Sequence, residues 1–235
     1  MIVLFFGAFL AAAISGAAGF GGALLLLPLL NHEVGASVAV PLLTLAQAVG
    51  NASRAGLGWR QIRWGQVAWF LASALPCAML GAFSFVTLPK PLVVRCIGGA
   101  ILVFLALTAF QLLRFRPGRR LLFAGGGIVG FLSGLVGSAG PLGAAVFLSL
   151  ELPPAAYIAS EAVTALAMHI VKTVVYQRSL ALSRETWLLA LLLGVAMIAG
   201  TWVSKRIIER VKPASFRVFV AVLLVALALQ MLLFG

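Results

Sequence analysis

The sequence predicts an all-α polytopic membrane protein built from two homologous halves. Three observations lead there. Of the 235 residues, 63% are hydrophobic and only 9% charged, and the mean hydropathy is +1.16; a soluble domain is nearer about half apolar and about a quarter charged. Charge-poor runs recur along the whole chain, which makes a bilayer its solvent. The chain also repeats itself at a fixed spacing.

The charge-poor segments run at 1–31, 34–53, 64–89, 96–113, 121–150, 152–171, 186–204 and 218–235. Six of them have the length of a helix crossing a hydrocarbon core of about 30 Å. The start, Met1 to Phe6, has no basic stretch and reads as part of the first segment rather than a cleaved leader. The first and fifth segments differ from the rest. Each would be roughly 45 Å long if wholly helical, and each is broken by glycine, at Ser15-Gly16-Ala17-Ala18-Gly19-Phe20-Gly21-Gly22-Ala23 and at Ser133-Gly134-Leu135-Val136-Gly137-Ser138-Ala139-Gly140-Pro141.

These two stretches align with an offset of 118, which also puts Asn51 on His169, Arg54 on Lys172, Arg60 on Arg178 and Trp69 on Trp187. After a four-residue shift, Lys90-Pro91 falls on Lys212-Pro213 and Arg95 on Arg217. The halves are 1–113 and 121–235, joined by a basic linker at 114–120. Each half has a glycine-broken first segment followed by three transmembrane helices.

Lys and Arg decide between two arrangements. If all eight segments cross once, these residues divide ten to seven between the two sides. If the broken segments dip in and return, the 52–66 loop, the 114–120 linker and the 204–217 loop share a side, and the division becomes twelve to five. The positive-inside rule prefers the second arrangement, with inverted halves and the basic side cytoplasmic. Irregular backbone at membrane depth is tolerated only where protein or a cavity covers it, so the two glycine breaks belong at the functional centre.

The sequence has no Asp, and its five acids are all Glu. That excludes aspartyl-phosphate pumps, nucleotide hydrolysis with an Asp on magnesium, and aspartyl intramembrane proteases. The net charge of +12 sits in short gaps between apolar runs, where it serves orientation and lipid headgroups rather than nucleic acid. Cys77 and Cys96 lie in or beside apolar runs with no metal spacing, and they read as inert thiols.

The chemistry concentrates around the breaks. If Leu24–Leu30 and Leu142–Leu150 are half-helices, their starts expose amides and a positive dipole end. Two such ends meeting at mid-depth make an anion cradle, with Gly19, Gly21, Gly22, Gly137 and Gly140 leaving the backbone accessible. Ser138 adds a hydroxyl, whereas its counterpart Phe20 can only pack. The bland alternative is that the glycines serve close helix packing. The next span of the first half carries Thr44, Gln47, Asn51 and Arg54 on one helical face; the second carries Glu161, Ala165, His169 and Lys172, with Ser160 and Thr164 beside them. Polar groups this deep are expensive and face a cavity or a partner. Gln47, Asn51 and His169 are the expected substrate contacts. Lys172 and Arg54 supply positive potential, and Glu161 is a coupling group or half of an ion pair. Arg95 and Arg217 are interfacial anchors, and Trp59, Trp64, Trp69, Trp187 and Trp202 form an interface belt.

A rival reading is enzymatic: Ser138 with His169 resembles the Ser–His dyad of rhomboid-type intramembrane proteases. The duplication argues against it, because Phe20 replaces the serine in the other half. A dinucleotide-binding reading of Gly19-Phe20-Gly21-Gly22 fails for want of a βαβ pattern. A passive anion channel is the third reading.

These residues carry a family resemblance. Ser15-Gly16-x-x-Gly19-Phe20-Gly21-Gly22-Ala23 followed by Leu27-Pro28, its repeat at Ser133–Pro141, the arginine-bearing loop at 54–63, and Met168-His169 through Lys172 and Tyr176 are similar to the sulfite exporter TauE/SafE family over nearly the whole chain. Ala23 stands where the family's glycine motif usually has a third glycine, and the second copy is looser. The resemblance implies a non-enzymatic permease of the bacterial inner membrane. Its substrates would be sulfite, sulfonates or related sulfur-containing organic anions, with export the commoner direction. It implies no cofactor and leaves a homodimer open.

Overall fold

The structure is a computed structural model describing residues 2–84, 99, 102, 118–137, 139–180, 182–208 and 212–234. The described residues fold into α1 (Ile2–Ala18), α2 (Gly22–Val34), α3 (Ala36–Leu57), a 3₁₀ turn (Trp59–Gln61), α4 (Trp64–Phe83), α5 (Arg119–Val136), α6 (Gly140–Leu148), α7 (Pro154–Leu180), α8 (Arg184–Ile208) and α9 (Pro213–Phe234). Arg95, Cys96 and Ser138 lie outside the described residues.

Three of the described stretches, Trp64–Phe83, Pro154–Arg178 and Arg184–Arg206, are long and apolar enough to cross a membrane. By contrast α2 and α6, at 13 and 9 residues, are only about 20 and 14 Å long. Both glycine segments are therefore two helices rather than one. The second helix of each pair begins at Gly22 and Gly140, two residues earlier than the apolar pattern suggests. α2 also runs on through Asn31, His32 and Glu33 to Gly35, whose φ of 75° ends it.

Helix boundaries recur at the sequence offset. α1 and α5 end at Ala18 and Val136, α2 and α6 begin at Gly22 and Gly140, and α3 and α7 begin at Ala36 and Pro154, each pair 118 residues apart. The packing recurs as well, but exchanged between halves: α1 lies along α8, and its equivalent α5 lies along α4. Small residues make both seams. A Cβ on Gly200 would strike the Phe9 carbonyl, and a Cβ on Gly126, Gly130 or Gly134 would strike the Phe70, Ala74 or Ala78 carbonyl. These glycines serve close helix approach.

α3 and α7 pass each other antiparallel. Gly58, at the end of α3, faces Ala155 and Ala159 in the first turns of α7, while Val40 near the start of α3 clusters with Val175 and Tyr176 late in α7. Lys205 Nζ donates to Leu57 O at 3.2 Å, tying the end of α8 to the end of α3. Leu188, Leu191, Val195 and Ile198 of α8 and Val218, Val222 and Leu233 of α9 are exposed, the apolar outer surface that lipid requires. Arginines stack on the belt tryptophans, Arg60 on Trp59, Arg119 on Trp69 and Arg206 on Trp202.

Candidate functional site

Each break is a left-handed glycine held by a cation from the same half. Gly19 has φ 88° and Gly137 has φ 83°, a conformation that glycine adopts at little cost and that terminates α1 and α5. In the first half Arg54 Nη1 donates to Ser15 O at 2.8 Å and Gly19 O at 2.9 Å. In the second, Lys172 Nζ donates to Ser133 Oγ at 3.0 Å and Gly137 O at 2.6 Å. Adding 118 to Arg54, Ser15 and Gly19 gives Lys172, Ser133 and Gly137, so the clasp occurs twice. A positive charge at a helix C-terminus meets the negative end of the dipole and satisfies carbonyls that the helix leaves unpaired. Arg54 and Lys172 are buried, Lys172 completely.

The breaks meet. Ala18 and Phe20 share one apolar cluster with Leu135, Ala139 and Leu142. Each break also packs against the early turns of the other half's polar helix: a Cβ on Gly19 would lie 2.6 Å from a ring carbon of Tyr157, and one on Gly137 would lie 2.9 Å from Val40 Cγ1. Gly21, with φ 95°, precedes α2, whose start has no side-chain cap. Gln47 brings its amide to that start, its Nε2 lying 3.0 Å from where a Cβ on Gly22 would stand. The α6 start also lacks a side-chain cap, but Pro141 in its first turn removes one donor. The two ends are thus unequal, with α2 offering more amides.

Both polar stripes face inward as their spacing requires. Thr44, Gln47, Asn51, Arg54, Ser160, Glu161, Thr164, His169 and Lys172 are all buried. Both polar atoms of Asn51 have a partner: Nδ2 donates to Gln47 O at 2.8 Å, and Oδ1 accepts from Arg54 Nη2, which leaves a second amide hydrogen. Its equivalent His169 keeps Nδ1 unpaired, as do Gln47 Nε2, Glu161 Oε2 and Arg54 Nε. Glu161 lies within electrostatic range of Arg54 and closes no ion pair among the described residues; Lys172 is committed to the α5 end instead. Tyr157, absent from the sequence-based set, belongs here. It is buried, its hydroxyl is unpaired, and it lies one turn before Glu161 on the same face. Extending the α7 stripe by that turn is the signal that finds it.

A cavity of about 90 Å³ reaches this centre from the end that carries the 58–61 turn. Its wall includes Gly16, Arg54, Gln61, Ala155, Thr201 and Lys205. Gln47, Asn51 and His169 stand outside that wall. In the equivalent region of the other half, Tyr176 takes the place of Gly58 (58 plus 118), and Val40, Ala82, Val175 and Tyr176 pack as an apolar cluster.

Membrane-length apolar helices with an apolar outer surface make this a helical membrane protein. The chain belongs to the TauE/SafE sulfite exporter family, whose model matches residues 4–231. That is a family of membrane transporters, so the chain is a membrane protein that handles a small anion and is not an enzyme. No curated protein and no solved structure matches the chain.

Proposed function

We propose that the chain is a secondary transporter that exports a small sulfur oxyanion, such as sulfite or a sulfonate, across the bacterial inner membrane. Halves 1–113 and 121–235, joined by the linker 114–120, are inverted relative to one another and rock to give alternating access. The observation that carries this reading is the duplicated clasp, Arg54 on the α1 end and Lys172 on the α5 end. It fixes each helix break, and the two breaks meet beside the starts of α2 and α6. The head group is held by the α2 and α6 starts at Gly19, Gly21, Gly22, Gly137 and Gly140, with Ser138, Gln47, Asn51 and His169 around it. Arg54 and Lys172 balance its charge.

The antiparallel passage of the equivalent helices α3 and α7 supports inversion, as does the exchanged pairing of α1 with α8 and α5 with α4. The bond from Lys205 to Leu57 O supports the arrangement in which the 52–66 and 204–217 loops share a side. Cysteines introduced by Arg60→Cys and Arg206→Cys will label from the same side of the membrane; labelling from opposite sides would establish eight single crossings instead.

Proteoliposomes loaded with sulfite, a sulfonate or sulfate test the activity. Saturable flux of at least one of these anions is expected, and none under any gradient would overturn the reading. Ser138→Ala retains substantial flux if the chain is a transporter, whereas a protease would lose peptide cleavage. Glu161 provides the coupling. Its ionised carboxylate competes with the anion for Arg54, and its neutral form does not; Arg54 is the charge it meets. Flux therefore rises as pH falls, and Glu161→Gln flattens that dependence.

A further inference from the structure

We infer that Val40, Ala82, Val175 and Tyr176 form the outer gate of the permeation path, and that the structure holds it shut while the path is open at the 58–61 end. The repeat supplies the evidence. The cavity at the 58–61 end is lined by Leu57, Gly58, Ile158 and Ser204 among others. The offset of 118 pairs Leu57 with Val175, Gly58 with Tyr176 and Ile158 with Val40. Ser204 answers to Ala82 after the four-residue shift, and the packing agrees: a Cβ on Gly16 would meet Thr201 and Ser204, and one on the equivalent Gly134 would meet Ala78 and Ala82. One set of positions therefore lines a cavity at one end of the bundle and packs as an apolar cluster at the other.

The residues explain the difference. Gly58 has no side chain to fill the space, whereas Tyr176 puts a phenol ring in the equivalent place, and the hydroxyl of Ser204 gives way to the methyl of Ala82. Val40, Ala82, Val175 and Tyr176 are all buried. An apolar constriction of this kind stops an anion by excluding the water that would accompany it. Val40 also covers the second break directly, since a Cβ on Gly137 would lie 2.9 Å from its Cγ1.

The gate is tied to the clasp. Tyr176 Oη donates a long hydrogen bond, 3.4 Å, to Gly134 O, and Lys172, one turn earlier on α7, holds Ser133 and Gly137. Both side chains thus grip the last turn of α5. An anion that draws Lys172 away from that turn loosens the seat of Tyr176 as well. Rocking one half against the other then moves the phenol ring out of the path. At the opposite end it brings α3 and α7 together at Gly58, where the missing side chain already lets Ala159 come close.

The inference rests on the alternating-access reading, and the test keeps the two apart. In a full-length Cys77→Ser, Cys96→Ser background, a membrane-impermeant methanethiosulfonate is applied to each side of vesicles carrying Leu57→Cys or its equivalent Val175→Cys. Leu57→Cys reacts from the cytoplasmic side, and Val175→Cys reacts about tenfold or more slower from either side. Adding Tyr176→Ala speeds the outer reaction of Val175→Cys by about tenfold or more and leaves Leu57→Cys unchanged, whereas Tyr176→Phe keeps the ring and stays shut. Equal reaction of Leu57→Cys and Val175→Cys, or no gain with Tyr176→Ala, overturns the gate. Should Tyr176→Ala unfold, seen as a changed Leu57→Cys rate, the comparison of the two cysteines with Tyr176 in place decides by itself. If the pattern appears while proteoliposomes carry no anion, the gate stands and the transport reading fails.

Discussion

Lys172→Met stops anion flux while leaving the fold nearly as stable as before. Two opposing quantities set that expectation. Lys172 is completely buried without an acidic partner among the described residues, and taking an ammonium out of water costs several kcal/mol. Its two bonds, to Ser133 Oγ and Gly137 O, return about 1.5–3 kcal/mol each at most, and interhelical bonds in membranes average less. A methionine of similar length avoids the charge cost and forfeits the bonds, so the net change in stability stays within about 2 kcal/mol. Function has no such compensation. The α5 carbonyls are left facing the centre with no counter-charge, and flux falls at least tenfold. Flux assay and thermal denaturation on the same preparation check both halves of this expectation; a variant with full flux would reduce Lys172 to scaffolding.

The first half gives the comparison. Arg54 does with three donations what Lys172 does with two, the additional one reaching Asn51. Arg54→Lys therefore keeps the clasp, loses the hold on Asn51, and retains more flux than Arg54→Met.

Gly19→Ala is the second large effect, and here stability and transport fall together. The backbone at φ 88° charges a side chain about 1 kcal/mol. The new Cβ would also lie 2.6 Å from the ring of buried Tyr157, and overpacking of that kind costs about 1–3 kcal/mol. A loss of about 2–4 kcal/mol follows, seen as a lower thermal midpoint, with flux reduced at least tenfold because the α1 end no longer seats. Gly35→Ala is the strained backbone without a neighbour: φ 75° and ψ 157° lie in a region essentially confined to glycine and nothing lies within 4 Å of the added carbon, so it costs about 1–3 kcal/mol while transport survives. Loss of transport at Gly35 as at Gly19 would remove the contact with Tyr157 from the account.

Much of this was legible in the residues. Helix periodicity places Thr44, Gln47, Asn51 and Arg54 on one inward face, and the offset of 118 pairs Arg54 with Lys172. What the linear pattern could not supply was acceptors. Lys172 stands at the edge of an apolar run and reads as a charge bordering the span, yet α7 continues to Leu180 and buries it. That is tolerated only because a helix end 35 to 39 residues earlier in the chain presents the Gly137 carbonyl and the Ser133 hydroxyl. Tyr157 lies one turn along the same stripe and can be read from the spacing, but its neighbour Gly19 belongs to the opposite half, and the exchange of α1 onto α8 and α5 onto α4 is a tertiary fact. The glycines divide likewise: Gly16 and Gly134 sit in helix seams, while Gly19 and Gly137, three residues on in each copy, turn the chain.

Selenite has the pyramidal shape and charge of sulfite and an X-ray absorption edge that marks its position. Anomalous scattering from crystals of the protein grown with selenite should place a selenium atom between the first turns of α2 and α6, within hydrogen-bonding reach of Gln47. Selenium found only beside Thr201, or nowhere in the protein, would contradict a central cradle made of helix ends.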